Sequence, residues 1–377
     1  MSHRLVWPGK HFFYPIGNTP AVCLTRDIAP EEHGDILLLG CGDPRSILYT
    51  IFTEPNGARN VILFTMIADG EPTVDVIWNI FYHMYLDKKS HQKLVDHCNK
   101  LISLSENLQQ WTASSYGRFI KMGTEYTLSE IRRHWVLYSQ FESLPAARRK
   151  AVYNAFSEAS KSTLKRFPNN LSSARGAGPL ILEAAPVAAE QFSRYWRTGV
   201  TFSDPTRVAA AKLLNPTFVY SIGGEGCYVH YAIDPMQSFH LAPIFANAKR
   251  AVSVSDLVAG AIAQFRDWCS AVSGAVGSKS SPSIIRFILG EATAVCSALQ
   301  VFLATKSPDS DVLVGQWKTQ LMQLNREEYV SACAPVQFNV IDTSNLHDHV
   351  GLLNVLVSVI PLLSTLSLRL HFAIQYT

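Results

Sequence analysis

Two stretches of this chain carry groups that could do chemistry together. The first is Gly40-Cys41-Gly42-Asp43-Pro44, which follows the apolar run Ile36 to Leu39 without a break. Glycines at that spacing let a chain turn tightly and present bare backbone amides. Asp43 then offers a capping oxygen, and Pro44 sits where a helix needs no amide. Strand, glycine turn and helix N-terminus together cradle a phosphate- or adenosine-bearing cofactor. A tight strand–helix turn needs the same glycines for geometry alone, and Ser46 or Ile47 stands where the dinucleotide fingerprint has its third glycine. On the residues, the two readings are level.

The second stretch is Val336-Gln-Phe-Asn-Val-Ile-Asp-Thr-Ser-Asn345. Ligands of open α/β sheets sit beyond the carboxyl ends of the strands, which nominates Asp342, Ser344 and Asn345 to contact a cofactor or place a substrate. Ser344 or Asn345 serves equally as the N-cap of the helix that follows. His347 and His349 flank Asp348, but side chains two apart diverge on a helix and no third ligand lies nearby, so no metal site is expected. The chain contains no Gly-x-Ser-x-Gly, Walker loop or His-Glu-x-x-His.

The elements that must hold these groups follow from periodicity. Residues 35–40 read as a strand buried on both faces, 44–53 as a helix, and 58–68 as an apolar helix after the break at Pro55-Asn56-Gly57. From Thr73 to about Phe167 the pattern is helical throughout, and a further helix spans 186–197. Thr217–Ser221 and Tyr228–Ile233, joined by Gly223-Gly-Glu-Gly226, predict a β-hairpin. Apolar helices follow at 255–275 and 282–304, then a parallel strand at 336–341 and a helix at 350–360. Residues 366–376 alternate strictly, as a strand does. The expected organisation is two core halves, 1–72 and 331–377, with a helical insertion at 73–168. A linker at 169–179 and a second helical region with the hairpin at 180–330 complete it.

Composition limits the function classes. With 377 residues, 47% apolar and 17% charged, the chain can bury a large core. A net charge of +3 demands no polyanionic partner, and no nucleic-acid signal is present. Seven scattered cysteines with no Cys-x-x-Cys pair suit a reduced, cytoplasmic protein. Val350 to Leu368 is uncharged, but Asn354, Pro361 and Thr365 interrupt it, so a buried helix followed by a strand is expected rather than a membrane span.

With these residues in view, the sequence resembles a fungal domain of unknown function, the 4470 family, shared with the N-terminal half of dynein axonemal assembly factor 3. Longer members often carry a MYND zinc finger. The pieces that carry the resemblance are Gly17–Thr25, Asp35–Arg45, Ala58–Thr65, Phe239–Pro243 and Phe338–Asn345. The resemblance implies an α/β fold, Rossmann-like, with a class I methyltransferase-like sheet and a large, mostly helical insertion. It would place Gly40, Cys41, Gly42 and Asp43 at the loop for S-adenosylmethionine, with Asp342, Ser344 and Asn345 lining the site. Two departures weigh against a working enzyme. The strand that should end in an acidic, ribose-holding stretch is missing, because Glu54-Pro-Asn-Gly57 runs straight into Ala58-Arg59-Asn60, and the resemblance fades after Leu363. The expected function is a non-catalytic scaffold or assembly module with protein partners and no cofactor; the alternative is an S-adenosylmethionine-dependent methyltransferase.

Overall fold

The computed structural model describes residues 12–13, 16–17, 19–26, 28, 34–40, 44–53, 61–70, 73–218, 228–230, 232–277, 283–315, 318–364 and 369–371. The protein is a mixed α/β chain that divides into two compact units. One comprises Met1–Ala21, Ile62–Lys100 and Trp135–Ser273; the other comprises Val22–Val61, Leu101–His134 and Gly274–Thr377.

The second unit holds the strands on which the nominated residues lie. Val340–Asp342 is the middle strand of a parallel three-stranded sheet, flanked by Ile36–Leu38 and Arg369–His371. Val340 faces Ile36 on one side and Arg369 on the other. The lower end of the pair is clamped by Asn339, whose side chain accepts from the Asp35 amide at 2.9 Å while its own amide donates to the Asp35 carbonyl at 2.8 Å. Val340 and Ile341 are fully buried. Ile36, Leu37 and Leu38 are only half-buried, which corrects the expectation of a strand covered on both faces. The reason is topological: among the described residues this strand has a partner on one side only and forms the sheet edge.

The same unit contains two strand pairs that helical and loop readings passed over. Ile120–Met122 pairs in parallel with Ile285–Phe287, and Asp309–Leu313 pairs antiparallel with Leu321–Gln323. The helix expected at 282–304 therefore begins only at Ala292, with Glu291 in the N-cap position. Before it, Ile285 to Phe287 is rich in β-branched and aromatic side chains and finds a partner strand. Cys296, Leu299, Met322, Ile341, Val359 and Leu362 meet in this unit's core. The helix Leu352–Val359 buries Val355 and Val359 but leaves Leu352, Leu353 and Val357 exposed, Leu353 by 73%. It is therefore only half the buried helix that its sequence suggested.

The first unit is mainly helical, built from Val74–Tyr82, Ala146–Arg166, Ile181–Thr198 and much of Val254–Gly277. Its core is aromatic. Trp78 lies 4.4 Å from Tyr82 between ring centroids, and Phe239 stacks on Trp268 at 5.0 Å. Two of the buried indoles have named acceptors: Trp78 donates to Thr201 Oγ1 and Trp196 to the Ile233 carbonyl, both at 2.9 Å. The helical run from Thr73 is broken here too, since Tyr85–Leu86 pairs antiparallel with Leu213–Leu214.

Residues 169–179 are packed rather than a linker. They enter a 3-10 segment, Ser172–Leu180, in which Ser173, Ala174 and Ala177 are buried. Leu241 donates its amide to the Gly176 carbonyl at 2.7 Å, and a Cβ at Gly176 would stand 2.5 Å from the Phe239 carbonyl oxygen. The small residues read as linker composition are small because backbone passes close to backbone. Of the expected hairpin, Pro216–Phe218 is a 3-10 turn and 219–227 lies outside the described residues. Tyr228–Val229 pairs in parallel with Phe12–Phe13. Among the described residues no helix is long and apolar enough to cross a membrane.

Candidate functional site

The carboxyl ends of Ile36–Leu38 and Val340–Asp342 lie side by side, and the Leu39 amide donates to the Asp342 carbonyl at 2.8 Å. Gly40 follows with φ of 69°, a left-handed conformation that explains the glycine. Cys41, Gly42 and Asp43 lie outside the described residues. Helix Arg45–Thr53 then anchors the lead-in segment: the Leu24 amide donates to Thr50 Oγ1 at 2.8 Å, and Val22 donates to Ser46 Oγ at 3.4 Å.

What sits above Gly40 decides its chemistry. A Cβ placed there would lie 3.3 Å from Leu346 Cγ, so an apolar side chain occupies the space on that side of the glycine. Leu346 in turn packs against this unit's hydrophobic core. The polar nominees are engaged locally. Asp342 Oδ1 accepts from the Ser344 amide at 2.9 Å, closing a side-chain turn. Ser344 is held at φ of 48°, a conformation costing a non-glycine residue about 1–2 kcal/mol. Asn345 occupies the N-cap position of the short helix Leu346–Val350 without capping it through its side chain. Its Nδ2 instead lies 3.3 Å from His349 Nε2, and His347 Nε2 lies 3.2 Å from the Asp348 carboxylate.

Thr343 was not nominated, yet it is fully buried between Asp342 and Ser344, and its hydroxyl has no hydrogen-bond partner among the described residues. No local signal separates it from an ordinary strand-end threonine. Leu346 fills the space where a side chain of Gly40 would stand, and among the described residues the edge strand Ile36–Leu38 pairs with Val340–Asp342.

Two side-chain constellations elsewhere were invisible in the sequence. In the first unit, Thr65 Oγ1 lies 2.6 Å from His97 Nε2, and His97 Nδ1 lies 3.8 Å from Asp69, which Lys100 also pairs at 2.8 Å. Hydroxyl, imidazole and carboxylate in series suggest a nucleophile and its base. Thr65 is fully buried, however, and its hydroxyl donates to the Ile62 carbonyl of its own helix, so no substrate carbonyl can reach it. Burial lowers the His97 pKa to about 4, against the opposing pull of Asp69. His97 is thus an uncharged tie between two helices.

In the second unit, Glu328 is buried in a π-helical turn, Glu327–Ser331, and bridges two strands. Lys121 meets one carboxylate oxygen and Arg286 Nε the other, each at 3.1 Å. Lys121 and Arg286 face each other across the parallel pair. The only sequence signal is the pattern Ile-Lys-Met and Ile-Arg-Phe, a cation between two apolar residues in each strand.

Residues 15–66, which contain the lead-in segment, the edge strand, Gly40 and the first two helices, match a family model described as Domain of unknown function (DUF4470). Three of the five pieces that carry the resemblance, Gly17–Thr25, Asp35–Arg45 and Ala58–Thr65, lie inside this match, and Phe239–Pro243 and Phe338–Asn345 lie outside it. No curated protein and no solved structure matches the chain.

Proposed function

We propose that this protein is a non-catalytic interaction module built on a methyltransferase-like sheet, a cytoplasmic scaffold or assembly factor with protein partners. The observation that carries the reading is Leu346 beside Gly40: an apolar side chain that packs on the core fills the space off the first glycine. Asp342 supports it, since its Oδ1 accepts from the Ser344 amide and holds the local turn. The exposed Leu352, Leu353 and Val357 give such a module an apolar face, of the kind that marks protein–protein contact. The parallel order Ile36–Leu38, Val340–Asp342, Arg369–His371 is that of half an open α/β sheet, and it supports descent from a cofactor-binding fold.

A second reading, a methyltransferase using S-adenosylmethionine, is favoured by the buried, unpartnered hydroxyl of Thr343 beside the strand ends. The two separate on incubation with methyl-labelled S-adenosylmethionine and a cell extract. The scaffold reading expects no transfer above that of heat-denatured protein. Transfer that Asp342→Ala removes would establish the enzyme.

A further inference from the structure

The charge of this chain is concentrated in one region. Residues 146–197, all in the first unit, carry nine Lys and Arg against three Asp and Glu, a net of +6. With a total of +3, everything else sums to −3. Most of the excess lies on helix Ala146–Arg166. Arg148, Lys150, Lys161, Lys165 and Arg166 are exposed there, and none has an ion-pair or hydrogen-bond partner among the described residues. The helix's sixth cation, Arg149, is half-buried and pairs with Glu142 at 2.7 Å.

At about 100° per residue the five exposed cations fall within an arc of about 160°, opposite the buried Phe156 and Thr163. Between them the arc bears Ala151, Asn154, Ala155 and Ser162, with Glu158 at its middle. The carboxyl end of the helix is tied down by Ser193, whose hydroxyl donates to the Pro168 carbonyl at 2.8 Å. Arg197, exposed one turn beyond Ser193 on helix Ile181–Thr198, comes to that same end. Phe167 and Leu171, just past the helix, add exposed apolar surface. Lys165 and Arg166 complement the helix dipole, whereas Arg148 stands in the first turn, where a cation is unfavourable and Pro145 supplies no side-chain cap. Helix stability therefore gives no reason for Arg148.

We propose, resting on the interaction reading above, that this face docks an acidic segment of a partner protein. That segment carries carboxylates toward both ends, a neutral or basic residue midway and an apolar residue at one end. Cations that the fold leaves unpaired are complementary to carboxylates, and Phe167 with Leu171 supplies an apolar anchor at one end only. Arg148 and Arg166 are about 27 Å apart along the axis, a span of about eight extended residues. Glu158 decides among polyanions. Nucleic acid is charged at every phosphate and an anionic bilayer across its whole surface, so both meet Glu158 in the middle of the arc. A peptide sets a lysine against it. A bilayer also needs large apolar side chains along the arc, and Ala151, Asn154, Ala155 and Ser162 offer none.

The test titrates the full chain, at low salt, into two labelled and end-blocked peptides, read by fluorescence anisotropy. One is Leu-Leu-Glu-Glu-Asp-Lys-Asp-Glu-Glu; the other has Glu in place of Lys. Saturable binding is expected, weakened about tenfold or more by Lys161→Glu with Lys165→Glu and likewise by Arg148→Glu with Lys150→Glu. Glu158→Lys should move the ratio of the two affinities about fivefold or more toward the all-acidic peptide. These side chains are exposed, so a melt of each variant should match the parent. An unmoved ratio, or binding that survives both charge reversals, would overturn the face. Tighter binding to phosphatidylserine vesicles or to a thymidine oligonucleotide would overturn the acidic-segment assignment. No binding of either peptide up to about millimolar would overturn this docking surface alone, since S-adenosylmethionine experiments test the interaction reading separately at the Gly40 turn.

Discussion

Between pH 7 and pH 5 the protein should lose several kcal/mol of stability, because three buried histidines are held neutral. Burial lowers His83 to about 3, with Arg207 adding to the effect, and lowers His97 and His230 to about 4, against an ordinary value of 6.5. Each folded pKa lies below its unfolded value, so the unfolded chain binds more protons through this window. The stability is complete above about pH 6.5 and is lost as pH falls toward the folded values. One such histidine costs about 1.4 kcal/mol per pH unit, so the three together cost about 6 kcal/mol by pH 5. Asp234 works in the opposite direction, since its folded pKa is raised to about 6. It returns about 1.4 kcal/mol over the same range.

His83 shows why neutrality is built in. Thr201 Oγ1 accepts the Trp78 indole proton, so its own proton is free for His83 Nε2 at 2.8 Å, and the Thr201 amide approaches the same nitrogen at 3.2 Å. A proton on Nε2 would oppose both donors. His83→Gln keeps an acceptor without a titrating group, and should reduce the loss by about 2 kcal/mol at pH 5. Urea unfolding at pH 7 and pH 5 reads the difference. An unchanged pH dependence in His83→Gln would contradict the assignment.

The second large effect is expected at Glu328. Its removal leaves Lys121 and Arg286, 18% and 19% exposed, facing each other across the strand pair without a counter-charge. Glu328→Ala should cost about 3–5 kcal/mol, the range for breaking a buried pair by one partner. Replacing all three charges, as Glu328→Met with Lys121→Met and Arg286→Met, should recover most of that loss, since well-packed apolar groups often equal a buried ion network. Urea midpoints test both. If Glu328→Ala costs under about 1 kcal/mol, the network behaves as an exposed surface pair.

Much of the local structure was readable in the chain. The Ile36–Leu38 strand, the turn at Gly40 and helix Arg45–Thr53 follow from an apolar run and its glycine, whereas the strand expected at 336–341 forms only at Val340–Asp342. What escaped depended on partners distant in sequence. Ile120–Met122 and Ile285–Phe287 are three residues each, too short to display a period, and are strands because they pair with each other across 165 residues. Ser172–Leu180 has a linker's composition because another backbone crosses it. At the site, sequence placed Asp342 and Ser344 at a strand end but could not show that they bond each other, nor that Leu346 lies over Gly40. Fold placement comes from local pattern; the state of a site comes from what packs on it.

Isothermal calorimetry with S-adenosylmethionine and S-adenosylhomocysteine on the purified chain tests the central claim most directly. With Leu346 over the turn and Asp342 committed to Ser344, no saturable heat is predicted up to about millimolar ligand, where binding would be worth only about 4 kcal/mol. Micromolar binding that Gly40→Val abolishes would contradict the account and make the turn a working cofactor site.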